Sequence, residues 1–141
     1  MGRWYAAARR RLGLTQHWVP LPRFRRVLSE SIEYLQRNTS TAIILIEANP
    51  WNESIEAYGP GTKGQIEEYN ATMREIAACH SIDFVELSEL SVADPFHRPV
   101  QDFIPDGTHF SGEGHELLAR VLAESISRRL QLFYGKALSS G

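Results

Sequence analysis

Five consecutive apolar residues, Ala42-Ile43-Ile44-Leu45-Ile46, constrain the fold of this chain more than any other stretch. A strand with one wet face alternates apolar and polar side chains, whereas an unbroken run rich in β-branched residues calls for cover on both faces. The run therefore predicts a central parallel strand with helices above and below it. Ile82-Asp83-Phe84-Val85-Glu86-Leu87 predicts a second strand with a looser pattern.

Helical stripes flank both runs. Phe24, Val27, Leu28, Ile32 and Leu35 fall on one face of a helix that starts near Arg23 and fades into the polar Asn38–Ser40 turn. Ile66, Tyr69, Met73, Ile76 and Ala77 mark a further helix. The last runs from about Gly112, with Leu117, Leu118, Val121, Leu122, Ile126 and Leu130 as its stripe and Ser111 as its N-cap. Residues 3–12 suit a short helix, ended by Gly13 and by the linker that holds Pro20 and Pro22. Between these elements, Glu47–Gly64 reads as a long loop after a strand, a usual place for function, and Trp51 and Tyr58 within it are candidate walls of a site. Ser88–Phe110 reads as irregular.

This alternation predicts an α/β chain: a parallel sheet in a three-layer α/β/α sandwich, joined by right-handed crossovers. Two parallel strands leave unpaired edges and open apolar faces. The sheet therefore reads as incomplete on its N-terminal side, with upstream sequence or a second copy of the chain expected to finish it. A length of 141 residues fits one domain, divided here into a basic arm over 1–19, the layered unit over 20–132 and a tail over 133–141.

Hydrophobic residues make up 43% of the chain, enough for a packed core and against disorder. Charge is unevenly distributed, because Arg3, Arg9, Arg10, Arg11, Arg23, Arg25 and Arg26 crowd the first 26 residues, which hold no acid. That asymmetry suits an arm for an anionic partner or an organelle-targeting peptide, and also a merely solvated helix face. The formal net charge of -2 makes nucleic acid an unexpected partner for the whole chain. A single cysteine, Cys79, excludes an internal disulfide and reads as a small buried side chain. No run is long and apolar enough for a membrane helix or a secretory signal, so a cytoplasmic location is the expectation.

Chemistry concentrates in Ile104-Pro105-Asp106-Gly107-Thr108-His109-Phe110-Ser111-Gly112-Glu113-Gly114-His115. An aspartate and a histidine three residues apart on a turn can face each other. A carboxylate on one imidazole nitrogen fixes the tautomer and frees the other nitrogen to take a proton from a hydroxyl. Gly107 lets the turn tighten. A second copy, Asp94-Pro-Phe-His97, contains a proline and has no helix behind it, so it reads as a surface loop. Metal ligation by Asp106, His109 and His115 is disfavoured, because Ala119 stands where a metalloprotease helix would carry a second histidine. His115 reads as capping or packing on the last helix, and no cofactor is expected.

These motifs, in this order, resemble the SGNH (GDSL-type) hydrolases. In that family a late Asp-x-x-His block precedes the C-terminal helix, as Asp106–His109 precedes Gly114-His115-Glu116-Leu117-Leu118. Glu68-Tyr69-Asn70-Ala71-Thr72-Met73-Arg74-Glu75-Ile76-Ala77 is similar to the helix before the family's next strand. The resemblance spans roughly residues 20–131. It implies a flavodoxin-like five-stranded parallel sheet, of which only the last two strands match, and cleavage of acyl or acetyl esters on a small molecule, glycan or lipid.

It also implies Asp106 as the group that orients His109, and His109 as general base and then acid. The family's Gly-Asp-Ser nucleophile block has no counterpart here, and Thr15 stands where an oxyanion-hole asparagine belongs. Ser111 and Ser54 lack the setting of a nucleophile. The expected outcomes are therefore a hydrolase whose serine comes from sequence not in this chain, with little esterase activity in the chain alone, or a non-catalytic module that uses its arginine arm.

Overall fold

The structure, a computed structural model, describes residues 19–48 and 61–139. Arg3, Arg9, Arg10 and Arg11 of the basic arm, Gly13, Thr15, His17, and the loop residues Trp51, Ser54 and Tyr58 lie outside the described residues, whereas Arg23, Arg25 and Arg26 fall in the first helix. Helix α1 spans Leu21–Asn38, strand β1 Ile44–Ile46, helix α2 Thr62–His80 and strand β2 Asp83–Val85. Helix α3 follows at Ser88–Ala93, then a 3-10 turn at Val100–Phe103 and helix α4 at Gly112–Ser139.

Pro22 sits in the first turn of α1, where a missing N–H breaks no helical bond. The Asn38 side-chain amide donates to the Tyr34 carbonyl at 2.7 Å, and Thr39 leaves the helix in extended backbone. Helix α2 ends at Ser81, whose left-handed backbone (φ 53°) turns the chain straight into β2. The two strands pair in parallel, Ile44 with Asp83, Leu45 with Phe84 and Ile46 with Val85.

The expected three-layer α/β/α architecture does not form. Among the described residues helix dominates, and the sheet is a single pair of three-residue strands. So small a sheet cannot separate two helix layers, and much of the helix packing is direct, α1 on α2 and α3 on α4. The apolar run that predicted a strand covered on both faces is only partly covered: Ala42 is exposed and Ile43 to Ile46 are half-buried.

The main core instead gathers around the segment expected to be irregular. Val85, Leu87, Leu90, Phe103, Ile104, Leu117 and Val121 form one buried cluster. Four of these, Leu87, Leu90, Phe103 and Ile104, come from the stretch that follows β2. Ile32 of α1 and Ile76 and Ala77 of α2 are buried as well, and α1 packs directly on α2. Cys79, expected inside, is exposed near the end of α2. Helix α4 continues to Ser139, through most of the segment expected to be a tail.

Both strand ends are tied by side chains. The Glu47 carboxylate accepts the Leu87 N–H at 2.8 Å, and the buried Asn70 side chain accepts the Ala48 N–H at 2.9 Å. Arg74 reaches Glu86 at 2.9 Å. The Tyr69-Asn70 and Met73-Arg74 steps of α2 therefore include residues that hold the strand ends in place. No helix among the described residues is long and apolar enough to cross a membrane.

Candidate acid–base site

Phe103 and Ile104 are fully buried and anchor the chain just before the Asp106 turn. The Gly107 N–H donates to the Ile104 carbonyl at 2.9 Å, and Gly107 sits at φ 75°, a left-handed conformation that glycine adopts without strain. Beyond the turn, the Ser111 hydroxyl accepts the Gly114 N–H at 3.1 Å, satisfying an orphan donor of α4 as expected of an N-cap. The Ser111 N–H donates back to the Phe103 carbonyl at 2.8 Å. The two ends of the loop are thereby fastened to each other.

Within that loop Asp106 faces His109. One carboxylate oxygen accepts the backbone N–H groups of Thr108 at 2.8 Å and His109 at 2.7 Å. The other lies 2.8 Å from His109 Nδ1. Hydrogen bonds from His109, backbone first and then ring, hold the Asp106 carboxyl well below its ordinary range, so it is ionised at neutral pH. An anion on Nδ1 selects the Nδ1–H tautomer and leaves Nε2 as the acceptor. The His109 side chain is 80% exposed and that of Asp106 57%, so the pair is open to a reactant.

The second Asp-x-x-His copy behaves otherwise. Asp94, expected on a surface loop, is 1% exposed and among the most buried side chains of the molecule. Its carboxylate accepts the Arg98 backbone N–H at 2.9 Å and the Arg98 guanidinium at 2.8 and 3.1 Å. The Arg98 guanidinium holds the Asp94 carboxyl down to about 2, against the opposing effect of burial. His97 is exposed, at φ 51°, with Nδ1 3.2 Å from the Ser91 carbonyl, so it never meets Asp94 as a dyad.

His115 packs its ring on Phe110 with centroids 5.6 Å apart, as a helix-surface residue. Among the described residues no group of three histidine, cysteine or acidic side chains is placed to hold a metal ion. Sequence reasoning missed Arg98 and Glu113. The Arg98 guanidinium donates to Glu113 in the first turn of α4, at 3.1 Å from one nitrogen and more closely from another. The available signal was Arg98 four residues after Asp94, with Glu113 opening a helix; nothing in the sequence brings those two pieces together.

Compared with family models, with curated proteins and with solved structures, the chain finds no match in any of the three.

Proposed function

We propose that Asp106 and His109 are the acid–base element of an SGNH-type site that cleaves acyl or acetyl esters on a small molecule, glycan or lipid. The observation that carries this reading is the 2.8 Å contact between His109 Nδ1 and an ionised, exposed carboxylate. With Nδ1 so occupied, Nε2 takes the proton of a hydroxyl as its oxygen attacks the ester carbonyl. Asp106 stabilises the imidazolium, and Nε2 then returns the proton to the departing alcohol oxygen; water, deprotonated by Nε2 in turn, releases the acyl group as the acid and the proton goes back to the freed hydroxyl. Ser111 is committed to capping α4, so in this reading the nucleophilic hydroxyl and the oxyanion donors come from outside the described residues.

The missing donors matter in magnitude, since one oxyanion-hole hydrogen bond alone is worth about 3 to 4 kcal/mol of barrier lowering. The chain by itself should therefore hydrolyse p-nitrophenyl acetate slowly and without an acyl-enzyme burst. His109→Ala should remove that activity and His97→Ala should leave most of it. Equal effects of the two substitutions would overturn the assignment of the dyad.

A further inference from the structure

The loop that carries the dyad is held at both of its ends by one side chain. Arg98 lies over the Phe103 ring, with its guanidinium carbon 4.8 Å from the centroid, and Phe103 immediately precedes the dyad turn. The same guanidinium grips Glu113, four residues after His109. Its third attachment is the buried Asp94, which fixes both its backbone N–H and its side chain. A planar guanidinium is suited to this task, because it can stack on an aromatic face and donate in several directions of its plane.

Close packing makes the junction stiff. Gly114 is buried so near Phe103 that an added Cβ would stand 2.7 Å from the Phe103 carbonyl oxygen, and the Ser111 N–H is already bonded to that oxygen. Any displacement of Phe103 relative to α4 is therefore passed into the residues between them, which include Asp106 and His109.

We infer that Arg98, seated on Asp94, is a positioning residue that clasps both ends of the Asp106–His109 loop and so keeps the imidazole in the tautomer that acid–base work needs. This rests on the reading of Asp106 and His109 as an acid–base pair, and its test has one arm that does not depend on turnover. In the full chain, imidazole nitrogen chemical shifts measured by NMR report the His109 tautomer directly. Ester hydrolysis supplies the second readout.

Glu113→Gln is the principal variant, since the Glu113 side chain is 55% exposed and its loss spares the buried Asp94–Arg98 pair. Arg98→Lys is the second, because an ammonium keeps the charge but cannot reproduce the stacked, forked contact. In both, the Nε2–H tautomer of His109 should rise severalfold over the wild type, and His109-dependent hydrolysis should fall at least about tenfold through misplacement of the base. Variants that unfold more readily yet keep the wild-type tautomer would overturn the proposal and leave Arg98 a purely structural residue. Restoration of the wild-type tautomer by lysine would overturn it as well. A tautomer shift accompanied by hydrolysis that ignores His109→Ala would uphold the clasp and remove the ester-cleaving reading, so the two failures are distinguishable.

Discussion

Replacing Gly114 by alanine tests the packing that joins the dyad loop to α4. On helix propensity alone the change should stabilise, by up to about 1 kcal/mol in a helix interior and less in the first turn, where Gly114 stands. Space opposes it: the new methyl would meet the Phe103 carbonyl oxygen at 2.7 Å, Phe103 Cβ at 3.0 Å and Phe110 Cδ1 at 3.1 Å. Carbon contacts settle at about 3.5 to 4.0 Å, so three neighbours would have to retreat together, and one of them is backbone. Overfilling a packed site costs about 1 to 3 kcal/mol.

At the middle of that range, about 2 kcal/mol, sterics win, with a net loss of about 1 to 2 kcal/mol once a first-turn propensity gain of under about 1 kcal/mol is subtracted. For a chain of this size that lowers the thermal midpoint by roughly 3 to 8 °C. Gly64→Ala is the matched control, since it too stands in the first turn of its helix and a Cβ there meets nothing within 4 Å, and it should raise stability by less than about 1 kcal/mol. Urea unfolding followed by far-UV circular dichroism reads both variants. Equal or greater stability for Gly114→Ala, at an unchanged denaturant slope, would refute the claim that this glycine is required by close approach.

Phe103→Ala, at a side chain with no exposed surface, should destabilise by about 3 to 5 kcal/mol in the same unfolding assay. Because the folded Asp94 carboxyl sits at about 2, below its unfolded value of about 4, its contribution is fully present above pH 4 or so and is lost as pH falls through about 2. Asp94→Asn should thus lower stability at neutral pH and flatten the acid limb of a pH titration of the unfolding midpoint. The exposed Cys79 should react with a thiol reagent in the native protein about as fast as in the unfolded one, where a buried thiol would lag.

Sequence pattern alone located the ends of most elements within a few residues. The polar turn after Asn38 and the serine cap at Ser111 are local devices, settled by neighbours in the chain. The Asp106–His109 contact was legible for the same reason: its partners are three residues apart, and a glycine between them permits the turn. Longer range was not legible. Leu90, Phe103 and Ile104 follow no sustained period, so nothing in their spacing marks them as core; a short helix and a 3-10 turn bury them only because α4 folds back over them. Asp94 likewise reads as a polar loop residue: its partner Arg98 is only four residues on, but Glu113, which Arg98 also grips, comes from a separate segment, and ion pairing across distant segments leaves no periodic trace. Pattern located the three long helices and both strands, because those preferences are local, but it missed the helix Ser88–Ala93, the 3-10 turn Val100–Phe103 and the run of the last helix to Ser139. How the strands would be covered, and that helices rather than a broad sheet would do most of the burying, depended on which surfaces met in three dimensions.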